Sequence, residues 1–295
     1  MRRTTVTARD GVQLAVTEYG TATAERTVIL LHGLCLTQQA WEPQTRFLQT
    51  EFGDTLRAVT YDHRGHGRSG TADMRTYTVE QLADDLDTVI TALGLSNVTV
   101  VGHSMGAMAA LVHCAGAREP HTAPQRLVAI ATAAGRIAQR GLGRLLGTPA
   151  TSTFYHLAGH APQRAVRALA GPLCTILTGY QRWPAAERAA LAALSAAAMT
   201  TTPLSTTAGF LTALRTFDTY AHLSAITIPT TILSGGADLL TPADHADDLA
   251  AAIPGATHIH IPGAGHMLPH EQPAVVNHVI AEALSARSQP AAVSA

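Results

Sequence analysis

The sequence predicts an α/β protein, a doubly wound and mostly parallel sheet with a helical lid inserted late in the core. Three observations lead there. Short β-branched runs alternate with helical patterns over residues 1–134, the alternation stops across 135–223, and it resumes over 224–286. Strands that alternate with helices build a parallel sheet, because right-handed crossovers lay the helices on both of its faces.

Residues 12–19 alternate apolar and polar side chains, as an exposed strand would. Residues 27–31, Thr27-Val28-Ile29-Leu30-Leu31, are almost continuously apolar, the pattern of a central strand covered on both faces. Residues 56–61, 98–101 and 127–131 read as further buried strands. A helix is expected over 78–93, with Thr78 as N-cap, Gln81 completing a capping box, and Leu82, Leu86 and Ile90 on one face. Residues 107–114 form another helix-like run.

Across 135–223 the segments are Ala-rich and helical, with a break at Gly171-Pro172 and a new start at Trp183-Pro184. Such a block is expected to act as a lid over the carboxyl edge of the strands, where open sheets bind ligands. The rhythm then returns as a strand over 230–234, a helix over 242–253 capped by Thr241, a strand over 258–261 and a helix over 273–286. The core is therefore 1–134 plus 224–286, the lid 135–223, and 287–295 a frayed tail.

Composition narrows the function. The 295 residues are 46% hydrophobic and 14% charged, enough apolar material for a large core, which excludes whole-chain disorder. A net charge of -1 leaves no cationic excess for phosphates, so neither nucleic acid nor an anionic membrane is an expected partner. Every fixed side-chain cation is arginine. Without lysine there is no Schiff-base chemistry and no P-loop. Cys35, Cys114 and Cys174 fit no disulfide framework, residues 1–4 lead into no apolar signal core, and no run reaches about 18 apolar residues, so a cytoplasmic protein without a membrane span is expected.

The most specific motif is Gly102-His103-Ser104-Met105-Gly106, between an apolar strand and a helix-like run. That context presents a serine hydroxyl on a sharp turn above the sheet, at a helix N-terminus that favours an anion. Serine needs a base. His266, in the loop Gly263-Ala264-Gly265-His266-Met267 after a strand, is the candidate, with His270 the runner-up. His258 and His260 lie two apart on the strand and share one face as packing or surface residues. Asp238, just beyond the preceding strand, is the candidate acid, while Asp244, Asp247 and Asp248 read as helix residues in solvated or dipole roles. The oxyanion donors expected are the N–H groups of Met105 and Leu34, with Cys35 lining the pocket. His63 and His66 belong to a turn held by Asp62 and Arg64, and His156 and His160 lack a third ligand, so no metal is expected.

Together, His32-Gly33, Asp62-His63-Arg64-Gly65-His66-Gly67-Arg68-Ser69, Gly102 to Gly106, Gly236-Ala237-Asp238 and Gly265-His266 resemble the α/β-hydrolase superfamily. They look most like its lidded branch of esterases, lipases, cofactor-free haloperoxidase-like perhydrolases and C–C bond hydrolases. The resemblance spans about residues 4–286 and matches the lid poorly. It implies the α/β-hydrolase fold, Ser104, Asp238 and His266 as catalytic residues, and Leu34 and Met105 as the oxyanion hole. It also implies a small ester-like substrate and no cofactor. Ser104 stands where epoxide hydrolases and haloalkane dehalogenases carry Asp, which disfavours those activities. Leu34-Cys35 replaces the aromatic residue and proline of many relatives. Carboxylic ester hydrolysis is the leading expectation, with an apolar substrate suggested by Phe154, Tyr155, Tyr180, Trp183, Phe210, Leu211 and Phe217. Thioester, C–C bond and perhydrolysis chemistry, or a ligand-binding scaffold without catalysis, are the alternatives.

Overall fold

A computed structural model describes residues 1–116, 122–160 and 202–286. Its sheet has eight strands: β1 (Arg2–Thr7), β2 (Gln13–Gly20), β3 (Arg26–Leu31), β4 (Leu56–Tyr61), β5 (Val98–His103), β6 (Arg126–Ile130), β7 (Thr230–Gly235) and β8 (Thr257–Ile261). Their order is β1-β2-β4-β3-β5-β6-β7-β8. The pairs β1/β2 and β2/β4 are antiparallel and all later pairs parallel.

Alternation along the central strands feeds two cores. Ile29 and Leu31 enter the core built with Leu86, Val89 and Ile90 of α2 (Val79–Ala92), Leu111 of α3 (Met105–Ala115) and Leu249 of α6 (Ala243–Ala252). Val28 and Leu30 enter the opposite core, with Leu48 of α1 (Glu42–Phe52) and Val276, Val279 and Ile280 of α7 (Pro273–Ser285). Both faces are thus dry, which is why β3 reads as a continuous apolar run.

Three local expectations change. β2 is buried at Leu14 through Glu18, not exposed, because β1 pairs along its outer edge and Glu18 is neutralised by Arg57 and Arg2, each at 2.6 Å. β1 itself was hidden behind the charged start of the chain, although Thr4-Thr5-Val6-Thr7 is β-branched throughout. Thr78 caps α2 by accepting the Gln81 N–H at 3.1 Å, but its own N–H donates to Thr76 O, so the reciprocal half of the capping box is replaced. At α6 the N-cap is Pro242, and the Thr241 side chain is committed to Asp238.

Between β6 and β7 the described residues contain α4 (Pro149–His160), α5 (Leu204–Thr216) and 3-10 turns, and no strand. The two ends of this insertion are pinned by a bridge between Gly135 and Asp218 and by Thr219 N–H donating to Ala134 O at 2.7 Å. Phe210 and Phe217 are buried against Tyr77, Leu82 and Met108, so they serve packing. The expected break at Gly171-Pro172, the helix after Trp183-Pro184, Tyr180, Cys174 and the tail 287–295 lie outside the described residues.

Candidate active site

β3 sends the chain to β4 on one side and pairs with β5 on the other, so the loops leaving β3 and β5 meet at the point where strand order reverses. The loop after β5 is Ser104. Its backbone has φ 53° and ψ −120°, a left-handed conformation that costs a non-glycine residue about 1–3 kcal/mol. The flanking glycines permit it. A Cβ at Gly102 would collide with the Ala107 backbone, and one at Gly106 with the carbonyls of Leu31 and His32. Ser104 N–H donates to Ile130 O at 2.9 Å and its carbonyl accepts from Thr132 Oγ1 at 2.9 Å, which holds the turn open toward the strand ends.

His266 follows β8, and its Nε2 lies 3.0 Å from Ser104 Oγ. Its Nδ1–H donates to Asp238 Oδ2 at 2.8 Å, leaving Nε2 to accept the serine proton. Asp238 stands on the turn after β7 and is nearly sealed from solvent. Its Oδ1 accepts the N–H groups of Leu240 and Thr241, both at 2.8 Å, and its Oδ2 accepts the Thr241 hydroxyl at 2.7 Å. Burial pushes this carboxyl up, but the His266 ring and the Thr241 N–H and hydroxyl outweigh it and hold the pKa below the usual carboxylate range. Ser104, His266 and Asp238 therefore form one hydrogen-bonded chain across three loops.

The remaining candidates differ in exposure and partners. His270 is exposed on the one-turn helix Leu268–Glu271. His258 Nε2 and His260 Nδ1 share a face as expected, 2.8 and 3.0 Å from Ser234 Oγ. Asp247 and Asp248 have specific partners: His258 Nδ1 at 3.1 Å for the first, Arg140 at 2.8 Å and the Tyr220 hydroxyl at 3.2 Å for the second. Among the described residues no group of three His, Cys, Asp or Glu side chains is arranged to hold a metal ion.

The loop after β3 runs against the serine turn. A Cβ at Gly33 would sit 3.2 Å from Ser104 Cβ. Among the described residues the N–H groups of Leu34 and Met105 have no hydrogen-bond acceptor, and Met105 N–H opens the N-terminus of α3. Cys35 explains why proline is absent here. Its φ is 61° and its N–H donates to His66 Nε2 at 3.1 Å, and proline can supply neither.

Sequence reading missed how that loop is braced. His66 Nδ1–H donates to Arg64 O at 3.0 Å, which frees Nε2 for Cys35. His63 N–H donates to His32 Nε2 at 3.0 Å and His63 Nε2–H to His32 O at 3.1 Å. Burial, reinforced by the neighbouring His32, drives the His66 pKa down to about 3, and burial also lowers His32 and His63. Below them Arg64, fully buried, binds Asp85 at 2.6 Å and Asp10 at 2.7 Å, and Asp62 accepts the Gln38 and Arg68 N–H groups. These rings act as neutral spacers, so their spacing in the sequence carried no ligand signal.

Residues 28–279 match the model of the alpha/beta hydrolase family. The chain is therefore a member of the α/β-hydrolase family. It is 38% identical over 100 residues to the non-heme chloroperoxidase CPO-A1 of Kitasatospora aureofaciens, 34% of each chain. It is 35% identical over 101 residues to the bifunctional esterase/perhydrolase DCH of Acinetobacter calcoaceticus, 34% of this chain and 35% of that one. These matches span about a third of the curated relatives' length. A hydrolase from Pseudomonas aeruginosa PA01 superposes with a TM-score of 0.75 at 24% identity over 96% of this chain and 98% of that one, a likeness of fold. No helix among the described residues is long and apolar enough to cross a membrane.

Proposed function

We propose that the protein is a serine hydrolase, a cytoplasmic carboxylesterase acting on small to medium apolar esters through an acyl-enzyme. One observation carries the reading: Ser104 Oγ, His266 and Asp238 are joined at 3.0 and 2.8 Å, with a base tautomer suited to take the serine proton. In this mechanism the Ser104 O–H proton passes to His266 Nε2 as Oγ bonds to the ester carbonyl carbon. The oxygen that becomes negative is met by the Leu34 and Met105 N–H groups, each worth about 2.7–4 kcal/mol to the transition state. Collapse breaks the C–O bond of the leaving alcohol, which takes the proton from His266. Water then repeats the sequence on the acyl-enzyme, releasing the acid and restoring Ser104. Asp238 stays ionised and stabilises the transient imidazolium. Residues 135–223 serve as a lid over this site, rooted at Gly135 and Asp218.

The names of the two curated relatives favour a second reaction on the same acyl-enzyme, attack by hydrogen peroxide in place of water to give a peracid. Peracid formation from acetate and peroxide distinguishes it from plain hydrolysis. The reading is tested with a fluorophosphonate probe and short-chain p-nitrophenyl esters. The wild type is expected to label once and turn over, and Ser104→Ala to do neither. Undiminished turnover by folded Ser104→Ala rejects it.

A further inference from the structure

Three hydrogen bonds from two side chains converge on the main chain that carries His266. The Glu271 carboxylate straddles the residue: Oε2 accepts the Gly265 N–H at 2.7 Å and Oε1 the Met267 N–H at 3.0 Å. From the other direction, His103 Nε2–H donates to the His266 carbonyl at 2.9 Å. Both flanking amides and the carbonyl of His266 are thus held by side chains, in a buried stretch whose approach, Gly263-Ala264-Gly265, has little intrinsic stiffness.

His103 is also the residue immediately before Ser104, and its Nδ1 faces Gly33, where a Cβ would approach to 3.1 Å. One ring therefore touches the serine turn, the base loop and the oxyanion loop. Burial, followed by the charge of the adjacent His266, lowers its pKa to about 3, so it stays neutral and keeps one N–H for the carbonyl. Glu271, bound through both oxygens, fixes the opposite edge.

We propose that Glu271 and His103 form a backbone clamp on His266, positioning its Nε2 on the Ser104 hydroxyl. This inference rests on the reading of Ser104 and His266 given above. Asp238 orients the ring about its own bonds, while the clamp, together with main-chain bonds such as Ala237 N–H to Ala264 O at 2.9 Å, holds the backbone from which the ring hangs. Misplacing a reacting group by about 1 Å can cost about 100-fold in rate, so loss of the clamp should fall on kcat and leave binding of the ester nearly unchanged.

The test compares His103→Leu, which keeps bulk but removes the donor, with His103→Gln, whose amide N–H can reach the same carbonyl. Glu271→Met removes both acceptors, and Glu271→Gln keeps one oxygen but turns an NH2 group toward the other amide. Folding is checked by circular dichroism, kcat and KM by p-nitrophenyl butyrate turnover, and ring placement by the downfield proton resonance of His266 Nδ1–H. His103→Leu and Glu271→Met are expected to lower kcat by about 30- to 100-fold with KM within about threefold, and to broaden the resonance. His103→Gln should restore most of kcat, and Glu271→Gln should fall between.

Wild-type kcat in folded His103→Leu and Glu271→Met overturns the clamp, as does a His103→Gln variant no better than His103→Leu. If either larger change unfolds the protein, Glu271→Gln decides. A roughly tenfold loss of kcat with a weakened resonance supports the clamp, and wild-type behaviour overturns it. A wild type that never labels at Ser104 rejects the catalytic reading itself, whereas labelling at one rate in wild type and variants rejects the clamp alone.

Discussion

Asp238 receives four hydrogen bonds, one of them from His266 Nδ1, so replacing it separates charge from shape. Asp238→Asn keeps the size but turns either an NH2 group or a neutral oxygen toward Nδ1, which favours the wrong imidazole tautomer and removes the countercharge. The expected result is a fall in kcat of about 10⁴-fold with the fold intact, read by ester turnover beside a thermal melt. At this scale Ser104, Asp238 and His266 were legible because each stands in a glycine-marked loop after a strand. Thr241 was read as a helix cap because its hydroxyl bond to Asp238 depends on the tertiary turn. Glu271 and His103 gave no signal either, since their partners are backbone groups that carry no side-chain signature in sequence.

The serine turn shows how an element depends on close approach. Gly106 lies where α3 passes over the end of β3, and the atoms a Cβ would strike are the carbonyl oxygens of Leu31 and His32, which cannot swing aside. Gly106→Ala is expected to destabilise the protein by about 1–3 kcal/mol in chemical denaturation and, on the proposed mechanism, to abolish turnover of p-nitrophenyl esters, because relief of the clash moves Ser104 away from His266. The parallel strands were readable from continuous apolar runs, since each is covered on both faces. β2 differs from the exposed strand expected because two adjacent polar residues on its opposite faces, Thr17 and Glu18, are buried through tertiary partners: the Arg68 guanidinium for one, Arg57 and Arg2 for the other. The N-cap of α6 is Pro242, one residue on from Thr241, whose side chain would accept a helix N–H as a cap but is turned instead to donate its hydroxyl to the ionised Asp238 carboxylate.

For the molecule as a whole, the buried neutral histidines set a dependence of stability on pH. His66 and His103 have folded-state pKa values near 3, and His32 and His63 are shifted in the same direction, whereas an unfolded histidine titrates near 6.5. Between these limits the unfolded chain binds protons that the native state refuses. Stability is therefore fully present above about pH 6.5 and declines as pH falls toward 3, by on the order of 2 kcal/mol at pH 5 for each of His66 and His103. Thermal melts across this range, with calorimetry in buffers of different ionisation enthalpy, are expected to show proton uptake on unfolding at pH 5. A flat Tm from pH 7 to 4.5 contradicts the neutral assignment. The same scale holds the central proposal, that all three loops serve one covalent step at Ser104. Rapid-quench mass spectrometry after mixing with p-nitrophenyl acetate tests it most directly. A single acetyl group is expected on the peptide containing Ser104, forming before steady turnover and absent from Ser104→Ala. Turnover with the acetyl group on another residue, or with no adduct and full activity in Ser104→Ala, contradicts it.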